Sequence, residues 1–136
     1  MRSVVPTFLV SDVGTTARWY AERLGFRIVG TFPEAEPWGY ASVMLGPAEL
    51  MLLRLDGYEK PDLAARRGAA GVWDAYVRLD GVHAFHERVR ARGVVTVPLR
   101  KQPYGDWEFE VRDPNGYVLV FGGDAALPDP AAGSPG

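Results

Sequence analysis

The stretch QPYGDWEFEVRDPNGYVLVF, residues 102–121, is the most informative part of the chain. Two β-favouring runs, 107–112 and 117–121, flank the tetrapeptide Asp-Pro-Asn-Gly at 113–116. Proline holds the backbone angle φ near the value that the second position of a turn needs, and glycine tolerates positive φ. The stretch therefore predicts a β-hairpin that follows a Pro-aromatic-Gly bend.

The first run of this hairpin has two chemically different faces, because side chains alternate along a strand. One face carries the apolar residues Trp107, Phe109 and Val111. The opposite face carries the charged residues Glu108, Glu110 and Arg112. Charged side chains are seldom buried in a core, so this second face is a candidate site.

A strand and a helix precede the hairpin. The run 72–79 predicts a strand, and we predict Asp80 as the N-cap of the helix that follows. Apolar residues at Val82, Phe85 and Val89 form one helical stripe. Gly93 is the expected helix stop, and a strand is predicted at 94–97. The two histidines, His83 and His86, flank the stripe, and we predict that both are partly solvated.

The first half of the chain shows the same order of elements. A strand is predicted at 4–10, followed by capping residues at Ser11-Asp12, an amphipathic helix over 13–24 and a stop at Gly25. Three further strands are predicted at 26–31, 38–45 and 49–55.

Asp12 and Gly25 are 13 residues apart, and so are Asp80 and Gly93. We interpret this agreement as an internal duplication of a β-α-β-β-β unit. The prediction is an α+β protein with modules at 1–55 and 72–123, joined by a connection at 56–71. Because one helix covers only one face of each sheet, the other faces could line a groove between the halves or between subunits.

The composition limits the class of protein. The chain has 136 residues, of which 47% are hydrophobic and 24% charged, as in an ordinary globular protein. Its formal net charge of −2 argues against a general binder of nucleic acids or membranes. Cysteine is absent, which excludes disulfides and thiolate chemistry. No signal-peptide pattern begins the chain, so we expect a cytoplasmic location, and residues 124–136 are predicted to be disordered.

The segment ARWYAERLGF at 17–26 and the turn Asp-Pro-Asn-Gly at 113–116 resemble the vicinal oxygen chelate superfamily. That superfamily includes glyoxalase I, extradiol dioxygenases and bleomycin-resistance proteins. Val5-Pro6 and the bend at 102–105 resemble the bleomycin-resistance branch most closely. The resemblance implies two tandem β-α-β-β-β modules whose curved mixed sheets surround a cup.

Metal-dependent members of the superfamily carry one His, Gln or Glu ligand on each of four strands. The resemblance places these positions at Val5, at Asp74, at Val120, and at either Leu53 or Glu49. Only Glu49 and Asp74 are candidate metal ligands, so we expect no metal and no other cofactor.

The resemblance and the strand alternation together select a set of cup-facing residues for ligand binding. These are Trp38, Tyr40, Asp74, Tyr76, Tyr104, Glu108, Glu110 and Val120. Aromatic rings stack on flat molecules and attract cations, while carboxylates pair with positive charge.

The expected function is metal-independent sequestration of an aromatic, partly cationic antibiotic or metabolite in a groove at the interface of a homodimer. No catalytic residue is required, so the chain is not expected to be an enzyme. The alternative is a divalent-metal-dependent lyase, isomerase or dioxygenase of the glyoxalase type that uses Glu49 and Asp74. A third possibility is an interaction module whose groove takes a protein segment.

Overall fold

A computed structural model describes residues 1–67 and 72–123. These residues form two units: the first contains 1–67 and Asp113–Tyr117, and the second contains 72–112 and 118–123. The tail that we predicted to be disordered, 124–136, lies outside the described residues. None of the described helices is long and apolar enough to cross a membrane.

The first unit contains one four-stranded mixed sheet and its helices. Its elements are β1 (Thr7–Val10), α1 (Val13–Trp19), a π-helical segment (Tyr20–Leu24), β2 (Arg27–Phe32), β3 (Tyr40–Leu45), β4 (Ala48–Arg54) and α2 (Leu63–Arg67). The strand order is β1-β4-β3-β2, in which β1 and β4 are parallel and the other pairs are antiparallel. The short helix α2 lies in the segment that we predicted as an aperiodic connection.

The second unit repeats this arrangement. Its elements are β5 (Ala75–Arg78), α3 (Val82–Arg90), β6 (Val95–Lys101), β7 (Trp107–Arg112) and β8 (Val118–Gly123). The strand order is β5-β8-β7-β6, again with one parallel pair, β5 and β8. The predicted α+β fold with two β-α-β-β-β modules is therefore confirmed.

The two helix starts differ in a way that corrects one prediction. Asp12 caps α1 as predicted, since its Oδ1 accepts from the backbone N–H of Thr15 at 3.0 Å. Asp80 does not cap α3. Gly81 holds the cap position with φ of 70°, and its carbonyl accepts from Phe85. The left-handed conformation at Gly81 moves the helix start one residue beyond Asp80, so that carboxylate does not reach the first turn.

A buried carboxylate organises the hairpin turn of the first unit. Asp113 is 3% exposed, and its Oδ2 accepts a hydrogen bond from the Tyr20 hydroxyl at 2.8 Å. Its Oδ1 accepts from the backbone N–H groups of Asn115 and Tyr117, at 2.8 and 3.0 Å. Burial raises the pKa of Asp113, although all these hydrogen bonds act in the opposite direction. The Asn115 amide donates in turn to Thr16 Oγ1 on α1 at 3.0 Å.

His86 departs from its predicted environment. His83 is exposed, but His86 is 6% exposed, and its Nε2 accepts from the backbone N–H of Leu99 at 3.4 Å. The ring also packs edge-on against Phe109, with centroids 5.0 Å apart. Burial lowers the pKa of His86 and outweighs the nearby Glu87 carboxylate, so the imidazole is held neutral.

Tyr20→Phe should destabilise the protein, because it leaves Asp113 Oδ2 buried without its donor. We expect a loss of about 1–3 kcal/mol in the free energy of unfolding, measured by urea denaturation. Tyr58→Phe removes the same hydroxyl from a half-buried tyrosine after β4 and is the matched control. Equal stabilities for the two variants would contradict the role given to this hydrogen bond.

The lowered pKa of His86 makes stability depend on pH. The unfolded chain takes up the proton first, so stability is present above about pH 6.5 and is lost as the pH falls towards the lower folded-state pKa. His86→Gln keeps an acceptor but cannot titrate, and it should flatten the fall in urea midpoint between about pH 7.5 and 5.5. A wild-type slope in His86→Gln would refute the assignment.

Candidate ligand-binding site

The helix-free face of the second sheet brings several predicted site residues together. Tyr76 is paired with Val120, and Val120 with Glu110, in one row across β5, β8 and β7. The opposite face is the core, where the rings of Phe109 and Phe121 lie 5.4 Å apart beneath α3. The structure therefore confirms that the two sets of alternating side chains on β7 lie on opposite faces, with Phe109 on the core side.

Glu108 is the centre of the site. Its side chain is only 1% exposed, and its Oε2 accepts hydrogen bonds from two tyrosine hydroxyls. Tyr76 donates at 2.8 Å from β5, and Tyr104 donates at 2.5 Å from the bend before β7. Hydrogen bonds to an ionised acceptor are short and strong, so the two hydroxyls fix the orientation of the carboxylate.

The same contacts determine the protonation of both tyrosines. The hydrogen bond to Glu108 raises the pKa of Tyr104 to about 12. The pKa of Tyr76 is raised more than that of Tyr104. Burial is the main cause, and the hydrogen bond to Glu108 is the second. Both hydroxyls therefore remain protonated donors at neutral pH and are poor candidates for a general base.

Gly122 makes this arrangement possible. It lies between Arg78 and Glu108 in the neighbouring row of the sheet. A Cβ at position 122 would lie 2.0 Å from the Tyr76 hydroxyl and 3.0 Å from Glu108 Cγ. Only a residue without a side chain lets the phenol cross β8 to reach the carboxylate.

Aromatic rings and charges surround the carboxylate. Tyr104 is 63% exposed, and Trp73 is exposed with its ring centroid 5.7 Å from that of Tyr76. The Arg78 guanidinium lies 5.2 Å from the centroid of Tyr76 and pairs with Asp106 at 2.9 Å. Trp73 was missed because alternation along the strand predicted at 72–79 places it on the face opposite Asp74 and Tyr76, whereas β5 begins only at Ala75.

The remaining predicted residues of the second unit are engaged within the sheet. Glu110 is buried, and its Oε2 accepts from Arg100 Nη2 at 3.3 Å. Val120 is fully buried. Asp74 lies just before β5, where its Oδ2 accepts from the backbone N–H of Val118 at 2.8 Å.

Trp38 and Tyr40 belong to the first unit. Tyr40 opens β3, but Trp38 lies in the preceding loop, so the strand predicted at 38–45 begins two residues later than expected and does not include Trp38. The Trp38 Nε1 donates to the Glu34 carbonyl at 3.4 Å, which keeps the residue in the loop conformation. Trp38 lines an open cavity of about 510 Å³ together with Asp12, Arg18, Glu36, Arg54 and Asp56.

The positions that correspond to the metal ligands of the superfamily do not fit a metal. Val5 and Val120 have no donor atom in their side chains. The Asp74 carboxylate binds the Val118 N–H, and Glu49 Oε2 accepts from Ser42 Oγ at 2.5 Å. Within residues 1–67 and 72–123, no three His, Asp or Glu side chains are grouped so that they could hold a metal ion.

Two β-α-β-β-β modules, each with a parallel pair and an antiparallel hairpin, define the vicinal oxygen chelate class of fold. The family model of the Glyoxalase/Bleomycin resistance protein/Dioxygenase superfamily matches residues 4–121, and the chain belongs to that superfamily. No match to the chain was found among curated proteins.

Solved structures resemble this fold over almost the whole chain. TioX from Micromonospora sp. ML1 has a TM-score of 0.70 at 21% identity, covering 90% of this chain and 96% of that one. A bleomycin resistance determinant encoded on transposon Tn5 has a TM-score of 0.69 at 21% identity, covering 92% and 99%. The bleomycin-binding protein of Streptomyces verticillus, solved with copper(II)-bleomycin, has a TM-score of 0.61 at 25% identity, covering 88% and 93%.

Gly122→Ala should disrupt the site, because the new methyl group displaces the Tyr76 ring from Glu108. Overpacking of this kind costs about 1–3 kcal/mol in the free energy of unfolding. Gly30→Ala is the control, since nothing lies within 4 Å of a Cβ at that position. The double variant Gly122→Ala/Tyr76→Ala should recover part of the loss, and urea denaturation of all three proteins measures this.

Proposed function

We propose that this protein binds an aromatic, partly cationic antibiotic or metabolite at Glu108 and sequesters it without changing it chemically or using a metal. One observation carries the proposal: Glu108 is 1% exposed, and its Oε1 has no hydrogen-bond partner among the described residues. An unsatisfied buried carboxylate oxygen is costly in the free protein, and a ligand N–H would remove that cost.

The aromatic residues around Glu108 suit a flat ligand. Tyr104 and Trp73 present exposed rings on the same unit as the carboxylate. Stacking and cation–π contacts with such rings contribute about 0.5–2 kcal/mol each. Asp106 pairs with Arg78 and Glu110 pairs with Arg100. Among the described residues Glu108 has no ion-pair partner, which favours a ligand that carries a positive group.

The raised pKa values of Tyr76 and Tyr104 favour a binding role over a role as catalytic bases. Because Glu108 and burial raise the pKa values of Tyr76 and Tyr104, both hydroxyls remain donors to the carboxylate. The arrangement orients Glu108 and offers one free acceptor. Sequestration needs only this affinity and enough copies of the protein. Bleomycin is the first ligand to test, because two bleomycin-binding proteins of similar fold were solved in complex with it.

A homodimer is part of the same proposal. Leu9, Leu53, Tyr40 and Phe32 are successive neighbours in one row across the first sheet. Phe32 is 72% exposed, and Leu53 is also exposed. An exposed apolar row of this kind is typical of a surface that a partner covers. We propose that a second copy of the chain covers this row.

Bleomycin and related aromatic drugs should quench tryptophan fluorescence saturably, with Trp73 as the main reporter. Tyr104→Ala should weaken binding about tenfold, because both a stacking contact and the orientation of Glu108 are lost. Tyr104→Phe keeps the ring and should show a smaller loss. A flat titration for every drug, or a full quench in Trp73→Phe, would count against this site.

A further inference from the structure

We infer that the Glu108 site recognises the edge of a carboxamide, in which an N–H donor lies beside a carbonyl acceptor. The inference rests on the proposed function and specifies which ligand group reaches the buried carboxylate. It comes from three buried side-chain atoms that have no hydrogen-bond partner among the described residues: Glu108 Oε1, Arg100 Nη1 and Gln102 Nε2.

The three atoms belong to one face of one strand pair. Arg100 on β6 is the direct cross-strand partner of Glu108 on β7. Side chains of such partners are neighbours, with Cβ atoms about 4.5–5.5 Å apart. Gln102 follows Arg100 by two residues and lies one residue beyond the end of β6, where the alternation of the strand, continued by one residue, places it on the side of Arg100. The backbone N–H of Gln102 donates to the Asp106 carbonyl at 2.8 Å, and this hydrogen bond closes the bend between β6 and β7.

The neighbouring contacts leave these atoms oriented for a ligand. Arg100 already donates through Nη2 to Glu110, and Glu108 already accepts through Oε2 from two tyrosines. Arg100 and Glu108 are thus each held by one end of the side chain, while the other end has no partner among the described residues. A fixed arrangement of this kind loses little conformational freedom on binding.

The chemistry of the three atoms selects the group that fits. Arg100 Nη1 and Gln102 Nε2 are donors, and Glu108 Oε1 is an acceptor. A carboxamide carbonyl has two lone pairs for the two donors, and its N–H serves the carboxylate. A carboxylate ligand satisfies the donors but repels Glu108. An amidinium satisfies Glu108 but leaves both donors unpaired beside the Arg100 charge.

The exposed rings of Tyr104 and Trp73 indicate that the carboxamide is attached to a flat aromatic group. The positive charge of the ligand then lies away from the amide edge. The minimal probes are benzamide, benzamidine and benzoate, which share a ring and differ only in the polar group.

The test is a chemical-shift titration of the ¹⁵N-labelled full chain with each probe. We expect benzamide to bind about tenfold more tightly than benzamidine or benzoate, because a site that leaves buried polar atoms unpaired discriminates at least that strongly. Gln102→Glu replaces a donor by an acceptor, so it should reverse the order and make benzamidine the tighter ligand. Gln102→Met removes the donor without adding charge and should weaken benzamide alone, whereas Lys101→Ala, on the opposite face of β6, should change nothing.

The outcomes separate this inference from the function on which it rests. Equal affinity for the three probes, while bleomycin still quenches Trp73, would mean that water alone satisfies the three atoms; the inference then fails and the proposed function stands. An unchanged preference in both Gln102 variants would also overturn the inference. No binding by any probe or drug would overturn both.

Discussion

The buried carboxylate of Asp113 is the contact on which the described structure of the first unit depends. A charge that is 3% exposed is tolerated only when hydrogen bonds replace water, and Tyr20, Asn115 and Tyr117 supply them. These donors come from the π-helical segment and from the turn itself. One side chain therefore sets both the conformation of the turn and its position against the helix.

Glu108 is held by the same type of contact but is left incomplete. Its Oε2 has two tyrosine donors, whereas its Oε1 has none among the described residues. Asp113 accepts hydrogen bonds through both of its carboxylate oxygens, which is typical of a structural role. The difference between the two carboxylates lies in hydrogen-bond satisfaction, since burial is nearly equal. The unsatisfied oxygen beside exposed rings is the reason that we propose Glu108, and not Asp113, as a binding group.

Local rules in the sequence predicted most of the fold. The turn at 113–116, the cap at Asp12 and the strand alternation depend on neighbouring residues only, and each is present. Alternation also placed Tyr76, Glu108 and Glu110 on one face. The capping prediction failed at Asp80, because the left-handed Gly81 takes the cap position. The strand prediction failed at Trp38, which lies in a loop where its Nε1 donates to the Glu34 carbonyl. The convergence of two tyrosines on one carboxylate needs the register across three strands, which no local pattern contains.

The close approach at Gly122 has an evolutionary consequence. The phenol of Tyr76 occupies the space where any side chain at position 122 would begin. The two positions can therefore change only together. A lineage that acquires alanine at 122 must first accept a smaller residue at 76, and it then loses one of the donors that orient Glu108. Covariation of these two positions, more than the identity of either one, should follow the descent of the proposed binding site.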